Sequence, residues 1–390
     1  MTTFPDGFLW GAATAGHQVE GGNVNADIWP LEWAKPSLFT EPSGDACDHY
    51  HRYPEDIALL ADLGLNAYRF SIEWSRIEPE PGEWSAAAVD HYRRQCEALL
   101  ERGIDPVVTF HHFTTPRWLA ERGGWTEDDT AKRFGDFCHR SAAALGDLVR
   151  RACTVNEPNI VTFMGYGMGM FPPGVVDEAL VDRASGVFVD AHRLAVDAIR
   201  SASPGVPVGM TLSMTDYQAV DGGEAQCAQM RSYEDRFLAA TEGDDFVGVQ
   251  TYSRTRVGPD GDVGPEAGVP TLIMGYEYYP QSLEATIRRA WEYTKGEVPI
   301  IVTENGIGTD DDTQRMAYVR TALEGVLACI ADGIDVRGYT YWSLLDNFEW
   351  AHGYGPRFGI VDCDRTTFVR TPKESARWLG RCAQANALVD

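Results

Sequence analysis

The feature that most constrains the fold is a repeated alternation of short apolar runs with amphipathic helical stretches along the 390 residues. Eight runs are rich in β-branched or aromatic residues and are bounded by turn-forming residues, which predicts buried strands. Strands that alternate with helices are parallel, because each helix carries the chain back along the sheet. Eight such units predict an α/β fold that consists of a single (β/α)8 TIM barrel. The predicted strands are Leu9–Ala13, Asn66–Ile72, Pro106–Phe110, Arg151–Val155, Pro207–Leu212, Phe246–Val249, Pro299–Thr303 and Gly338–Trp342.

An open, doubly wound sheet is the competing fold for this alternation. The glycine-rich fingerprint of the dinucleotide-binding version does not follow Leu9–Ala13, which weakens that alternative. The chain contains no serine- or glycine-rich linker and no charged tail. We therefore expect residues 1–390 to form one barrel domain. The stretch Val257–Tyr279, which is rich in Gly, Pro and Asp, is predicted to be a long loop.

Several helix boundaries are indicated between these strands. Ser85 occupies the position of an N-cap, and Val89, Tyr92, Cys96 and Leu99 follow it at the spacing of one helical face. The other predicted helices begin after a capping Thr126 or cover the stretches 178–201, 282–295 and 312–332.

The charge of the chain limits the classes of ligand. Lys and Arg number 33, Asp and Glu number 58, and the net charge is −25. Such a chain repels nucleic acid and anionic lipid, so neither is an expected partner, and a neutral small molecule fits better. The sequence shows no secretory signal and no transmembrane stretch. The eight cysteines form no Cys-x-x-Cys pair, which favours buried free thiols and a cytoplasmic location.

Two glutamates stand where predicted strands end. Glu157 follows the fourth strand in TVNEP, and Glu304 follows the seventh in VTENG. The carboxyl ends of barrel strands carry the reacting groups in enzymes of this fold. A lone glutamate at a strand end is usually an ordinary loop carboxylate, but two at corresponding ends, each beside an Asn, favour a paired carboxylate site. Glycoside hydrolysis needs such a pair.

Aromatic and amide side chains cluster near the same strand ends. Trp342, Asn347, Glu349 and Trp350 lie within nine residues in YWSLLDNFEW. Core packing is the usual role of a single Trp, but two that flank polar residues favour an aromatic cleft suited to a sugar. Gln18 after the first strand, and His111 and His112 after the third, add side chains that bind hydroxyl groups.

A catalytic metal is the alternative use of the histidines. His49, His51, His111 and His112 lack the spacing of a metal-binding helix, and adjacent residues of a strand point to opposite faces. The sequence also lacks a Walker motif, a G-x-S-x-G elbow and a Lys after any predicted strand, so a barrel aldolase is disfavoured. We expect neither a metal nor an organic cofactor.

The chain resembles glycoside hydrolase family 1 along nearly its whole length. No single motif is strong, but all occur in order and at the spacing of the family. They are FPDGFLWGAATAGHQVEGG at 4–22, YRFSIEWSRIEPEPG at 68–82, TFHHFTTPRWL at 109–119, TVNEPN at 154–159, VTENG at 302–306, YWSLLDNFEW at 341–350 and RFGI at 357–360.

The resemblance implies a retaining β-glycosidase and a role for each site residue. Glu157 would be the acid/base and Glu304 the nucleophile, with carboxyl groups about 5–5.5 Å apart. Arg69 would keep Glu304 ionised, and Asn156 would bind the sugar 2-hydroxyl. The remaining residues would contact the glycone or the nucleophile, namely Gln18, His112, Tyr252, Trp342, Glu349, Trp350 and Phe358.

Three departures from the family pattern bear on specificity. The usual His-Trp-Asp after the third strand is His112-Phe113-Thr114, and the usual Asn-x-Tyr after the sixth is Gln250-Thr251-Tyr252. The chain is also shorter than many members, so we expect a more open cleft for the aglycone. Members that act on 6-phosphorylated sugars carry a Ser and a Lys near the position of Glu349.

The expected substrates are unphosphorylated β-D-glucosides, with galactosides and fucosides as further candidates. Three alternatives are a transglycosidase, which has the same sequence features, a glycosidase for a bulky natural-product glycoside, and a sugar-binding barrel without activity. The presence of both Glu157 and Glu304 disfavours the last of these.

Overall fold

The computed structural model describes residues 3–390 and contains the predicted closed barrel. Each strand pairs in parallel with its two neighbours, and Leu9–Ala13 closes the barrel by pairing with both Ala67–Ser71 and Val336–Trp342. All eight predicted strands are confirmed, with small differences at their ends. The strands are β1 (Leu9–Ala13), β2 (Ala67–Ser71), β3 (Asp105–His112), β4 (Arg151–Asn156), β5 (Val208–Ser213), β6 (Phe246–Gln250), β7 (Ile300–Glu304) and β8 (Val336–Trp342).

One long helix follows each strand and covers the outside of the barrel. The helix after Ser85, and those predicted at 178–201, 282–295 and 312–332, are confirmed to within two residues. The sequence did not delimit the helices after β1, β5 and β8. The eight helices are α1 (His49–Leu63), α2 (Ala86–Leu100), α3 (Asp128–Leu145), α4 (Glu178–Ala202), α5 (Glu224–Ala240), α6 (Ser282–Tyr293), α7 (Asp312–Ala331) and α8 (Glu374–Ala385).

The N-caps of α2 and α3 provide one capping prediction that is confirmed and one that is wrong. Ser85 accepts a hydrogen bond from the backbone N–H of Ala88, as its position predicts. The prediction for Thr126 is wrong, because Glu127 is the N-cap of α3. Thr126 instead ends a short 3-10 turn and donates its hydroxyl to the carbonyl oxygen of Gly123.

The barrel interior is filled by side chains at its amino-terminal end. Leu9, Ala67, Val107, Phe246 and Ile301 belong to one buried cluster there, which closes this end of the barrel. β1 approaches its neighbours closely at one glycine: a Cβ on residue 11 would lie 2.6 Å from the carbonyl oxygen of Ala67. This packing leaves the opposite, carboxyl end as the place for a cavity.

The predicted loop at 257–279 is only partly irregular, so that prediction needs correction. Its start belongs to the strand Arg254–Gly258, which pairs with Asp216–Ala219 and with the short strand Gly261–Asp262. The remainder, which contains Met274 and Tyr276, reaches the carboxyl end of the barrel. In residues 3–390, no helix has the length and apolar character needed to cross a membrane. All eight cysteines are free and buried, as the sequence predicts.

Candidate active site

A cavity of about 240 Å³ opens at the carboxyl end of the barrel. Six consecutive strands end in a residue of this region, because parallel strands of a barrel deliver their last side chains to one face. These residues are His112, Asn156, Ser213, Gln250, Glu304 and Trp342. Nine of the eleven predicted site residues line the cavity: Gln18, His112, Glu157, Tyr252, Glu304, Trp342, Glu349, Trp350 and Phe358.

Glu304 is held by a cation and a phenol. Its Oε1 lies 2.6 Å from Nη1 of Arg69, and its Oε2 accepts a hydrogen bond of 2.5 Å from the Tyr252 hydroxyl. Burial raises the pKa of Glu304, while the charge of Arg69 and the hydrogen bond from Tyr252 oppose that rise. Both carboxylate oxygens are therefore fixed in direction before any substrate enters.

Arg69 and Asn156 lie beneath the cavity and do not line it. Arg69 is fully buried, and its Nη2 donates to Oδ1 of Asn156 at 2.5 Å. Because a guanidinium can only donate, the Asn156 atom that faces it must be the oxygen. Arg69 thus connects Glu304 of β7 to Asn156 of β4 across the barrel.

The oxygen of Asn156 accepts from two further groups. The Thr211 hydroxyl lies 3.0 Å away and Nε2 of Gln250 lies 3.1 Å away. Gln250 stands where the family usually has Asn. The structure accommodates this change by a direct hydrogen bond from Gln250 to Asn156. Three donors on one oxygen leave the amide of Asn156 a single orientation.

The nitrogen of the Asn156 amide faces the ring of His112. Nδ2 of Asn156 lies 3.2 Å from Nε2 of His112. Burial and the nearby charge of Arg69 lower the pKa of His112 well below its usual value, so the ring is neutral. Because Nε2 accepts, the ring proton is on Nδ1, which has no partner within residues 3–390. This N–H is available to a ligand in the cavity.

Glu157 has different surroundings from Glu304. Its backbone is left-handed, with φ of 45°, and its N–H donates to the carbonyl oxygen of Thr211 at 2.8 Å. Burial and the negative charge of Glu304 raise the pKa of Glu157 well above its usual value. No Arg or Lys forms an ion pair with it among residues 3–390. Glu157 is therefore the carboxyl group of the pair that retains its proton at higher pH.

Polar groups from the loops after β1 and β8 form one wall of the cavity. Nε2 of Gln18 donates to the carbonyl oxygen of Phe348 at 2.7 Å and lies 3.1 Å from Oδ1 of Asn347. Its Oε1 is buried and has no partner in the described part of the chain. Burial and the charge of Glu304 raise the pKa of Glu349 to about 8. Gln18 and Glu349 thus present hydrogen-bonding groups to the interior of the cavity.

Aromatic rings surround these polar groups. The rings of His112 and Trp342 stack at a centroid distance of 5.7 Å, and Tyr252 packs edge-on against Phe358 at 6.0 Å. Phe113, where the family usually has Trp, has φ of 66° and packs against Trp350 at 5.1 Å. The changed residue therefore still faces the cavity, but without an indole N–H.

The expectation that His111 also binds hydroxyl groups is wrong. β3 extends through both histidines, so their side chains point to opposite sides of the strand. The ring of His111 packs edge-on against Trp125 at 4.9 Å, outside the barrel. His49 and His51 pair with Asp56 and Asp48. Across residues 3–390, no three His, Cys, Asp or Glu side chains converge in a way that could hold a metal ion.

Sequence reasoning missed most of the wall that lies beyond Glu157. Apart from Ser213, which ends β5, these residues are on the segments after β4, β6 and β8, where no periodic pattern marks a buried face. Only their proximity in sequence to Glu157 or Trp350 could have indicated some of them. The missed lining residues are Ile160, Met164, Met170, Phe171, Ser213, Met274, Tyr276, Ala351 and His352.

A (β/α)8 barrel with two buried glutamates facing one cavity has the paired carboxyl groups that a glycoside hydrolase requires. The family model described as glycosyl hydrolase family 1 matches residues 1–257 and 252–388. β-Glucosidase A of Thermotoga maritima is 32% identical, and the alignment covers 99% of each chain. A bifunctional β-D-glucosidase/β-D-fucosidase of Bifidobacterium breve is 35% identical over 97% of each chain.

Comparison with solved structures also shows similarity to β-glycosidases. The crystal structure of the β-glycosidase BGL167 is 52% identical, covers 99% of this chain and 98% of its own, and superposes with a TM-score of 0.92. The chain belongs to glycosyl hydrolase family 1 and is a retaining β-glycosidase. The alignment with the Thermotoga maritima protein spans 443 positions, more than the 390 residues of this chain, so parts of that relative have no counterpart here.

Proposed function

We propose that the chain is a β-glucosidase that hydrolyses unphosphorylated β-D-glucosides, and that Glu304 is its nucleophile and Glu157 its acid/base. The observation that carries this assignment is the contrast between the two carboxyl groups. Glu304 is oriented by Arg69 and Tyr252, whereas Glu157 has no ion pair within residues 3–390 and a pKa raised by burial and by Glu304. A nucleophile must be ionised and a general acid must be protonated at the same pH.

The first step follows from this difference. An oxygen of Glu304 attacks the anomeric carbon while the bond from that carbon to the leaving oxygen breaks. Glu157 donates its proton to the leaving oxygen, and the product is a glycosyl ester of Glu304. The separation of the two carboxyl groups required for this step is about 5–5.5 Å.

The second step uses the loss of charge on Glu304. Once Glu304 is esterified, its negative charge no longer raises the pKa of Glu157, which becomes a base. Glu157 then accepts a proton from water as the water oxygen attacks the anomeric carbon. The ester bond breaks, and Glu304 returns to its contact with Arg69.

The glycone assignment rests on the polar wall and on the relatives. Oε1 of Gln18 can accept a hydrogen bond from one sugar hydroxyl, and the Nδ1–H of His112 can donate a hydrogen bond to another. Trp342 provides a flat apolar surface for the sugar ring, and Trp350, Glu349 and Phe358 complete the same wall. A phosphate at this position would face carboxyl groups, so we infer a neutral glycone. Relatives named as β-glucosidase and β-D-fucosidase support glucose and fucose as candidates.

Two further inferences concern the chain as a whole. We infer that residues 1–390 act as one catalytic domain, since the motifs from both ends of the chain contribute to one cavity. The eight free thiols support a reducing compartment such as the cytoplasm. A small-molecule glycoside is the partner that this function requires.

Release of nitrophenol from a panel of aryl β-glycosides tests the proposed reaction. We expect the wild type to cleave the glucoside best, and Glu304→Gln to lower kcat/KM on the order of 10⁴-fold or more, because no nucleophile remains. Glu97→Gln, a partly buried change on α2 that lies outside the cavity, serves as the matched control and should keep wild-type rates. A Glu304→Gln variant that retains activity would refute the nucleophile, and no cleavage of any glycoside would refute the reaction.

A further inference from the structure

A buried carboxylate outside the cavity lies next to a position where the chain departs from the family pattern. Glu73 follows β2 by two residues, is 1% exposed and is not among the residues that line the cavity. The hydroxyl of Thr114 donates to its Oε2 at 2.7 Å. Thr114 stands where the family usually has Asp. The chain therefore has a carboxylate beside the position from which the usual one is missing.

Glu73 is bonded to the loop after β1. Its Oε1 accepts the backbone N–H of His17 at 3.0 Å, and its Oε2 accepts Nδ2 of Asn23 at 2.7 Å. The helical turn Gly16–Val19 approaches so closely that a Cβ on residue 16 would lie 2.7 Å from Oε1 of Glu73. Hydrogen bonds to a carboxylate are stronger than those between neutral groups. Glu73 therefore fixes the turn that presents Gln18 to the cavity.

The ring of His17 continues these bonds behind the cavity wall. Nδ2 of Asn23 faces the carboxylate of Glu73, which can only accept, and it also lies 3.2 Å from Nδ1 of His17. Nδ1 therefore accepts, and Nε2 of His17 donates to Oε1 of Glu32 at 2.6 Å. Oε2 of Glu32 accepts both the N–H and the hydroxyl of Ser43. This series of buried groups connects the loop after β1 from end to end.

The same ring supports Trp350 from its buried side. The rings of His17 and Trp350 are parallel to within 5°, with their centroids 5.6 Å apart. The backbone of Trp350 has φ of 50°, which is an uncommon conformation for a residue with a side chain. Such a conformation persists only where the surrounding structure holds it. His17 and its partners thus hold the indole of Trp350 at the cavity.

We propose that Glu73 is a positioning residue for the glycone, which supplies the carboxylate that residue 114 lacks and holds Gln18 and Trp350 in place through His17. The inference rests on the proposed glycone wall and not on which sugar binds there. Glu73 itself touches no substrate. A carboxylate that only stabilised the fold would affect catalysis equally with and without Gln18. A positioning carboxylate loses most of its effect once Gln18 is gone.

The first test moves the carboxylate from one residue to the other. Glu73→Ala leaves three buried donors without an acceptor, so kcat/KM on the nitrophenyl β-glycoside that the wild type cleaves best should fall about tenfold to a hundredfold. Thr114→Asp alone places two carboxylates in contact and should also lower kcat/KM, by about threefold or more. The combined variant has one carboxylate again, and its kcat/KM should recover to within about threefold of the wild type.

A neighbouring glutamate provides the matched control. Glu78 also accepts one backbone N–H, from Gly82 at 2.9 Å, and one side-chain N–H, from Trp74 at 2.8 Å. Neither donor belongs to the loop after β1. Glu78→Gln should therefore keep kcat/KM within about threefold of the wild type.

The second test is a double-mutant cycle between Glu73→Gln and Gln18→Leu. Glu73→Gln keeps the shape of the side chain but turns one amide N–H₂ group toward a donor, so kcat/KM should fall about tenfold. In the Gln18→Leu background the same change should cost only about threefold, because part of what Glu73 positions is already absent. Thermal unfolding of each variant, measured alongside, separates a loss of stability from a loss of positioning.

The outcomes separate this inference from the proposed function. Equal fold losses in the two backgrounds of the cycle overturn the positioning role, and so does a combined variant that folds but does not recover. If the combined variant fails to fold, the cycle alone decides. Cleavage of another glycoside but not the glucoside refutes the glucose assignment, and the role of Glu73 is then decided on the sugar that is cleaved. No cleavage of any glycoside rejects the proposed function and the positioning role with it.

Discussion

The two walls of the cavity are built in opposite ways. The wall that holds Gln18, His112 and Glu349 consists of strand ends and short loops whose polar atoms are bonded to one another. The wall beyond Glu157 consists of longer segments whose inward side chains are chiefly thioethers and hydrocarbon. Hydrogen bonds discriminate between close analogues far better than apolar contacts do, because an unmatched buried polar group is costly. The comparison predicts that this enzyme discriminates among sugars more strictly than among leaving groups.

Removal of the Glu157 carboxyl group, which lies between the two walls, has the largest expected effect on activity. Glu157→Ala should lower kcat/KM for octyl β-D-glucoside by roughly 10²–10⁴-fold, because a poor leaving group needs the proton. Nitrophenyl glucoside, whose leaving group departs without one, should lose less in the first step. Parallel assays of the two substrates give the ratio of these two losses in kcat/KM.

The pH profile checks the same assignment. Since the raised pKa of Glu157 keeps it protonated, the decline of wild-type kcat/KM on the alkaline side should occur as pH rises through that pKa, and the variant should lack this alkaline decline. Equal losses on both substrates would contradict Glu157 as the general acid.

Matched substitutions on the two walls have a smaller expected effect and test the comparison directly. Gln18→Leu removes the donor to the carbonyl oxygen of Phe348 and one acceptor for the sugar, so kcat/KM on nitrophenyl glucoside should fall roughly tenfold to a hundredfold. Met170→Leu exchanges one flexible apolar side chain for another and should cost less than about threefold. Similar losses in both variants, with unchanged thermal unfolding, would mean that the walls do not differ as described.

The smallest expected effect concerns Gln250. Gln250→Asn restores the residue usual in the family but shortens the side chain, so the bond to Oδ1 of Asn156 is weakened while Arg69 and Thr211 still hold it. We expect kcat/KM on the glucoside to fall by about threefold to tenfold. Thr255→Ser, outside the cavity on the strand Arg254–Gly258, is the control. A rise in activity would show that Gln250 serves another substrate better than glucose.

The strand ends explain why much of the site could be predicted from sequence. Glu304 and Trp342 each end a strand, and Glu157 directly follows one, so the barrel topology brings them to one face wherever the loops run. Alternation along β3 also requires that only one of His111 and His112 faces inward. Which of the two does so depends on the exact length of the strand, and sequence placed its end two residues early.

The apolar wall could not be predicted in the same way. Met164 and Met170 lie on a segment whose conformation depends on hydrogen bonds that return to its own backbone. Nothing in the spacing of these residues shows which side chains turn inward. Likewise, Asn156 is bonded by groups from four other strands, and such convergence is a property of the closed barrel and not of any motif.

The buried thiols have a practical meaning for the folded enzyme. Every cysteine is enclosed, so a thiol reagent reaches the chain only when some part of the barrel opens. Cys153 lies on β4 at the centre of the molecule, whereas Cys382 lies on α8 at its periphery. The cysteines can therefore report local opening of the barrel. The order in which a thiol reagent labels them gives the order in which parts of the barrel unfold.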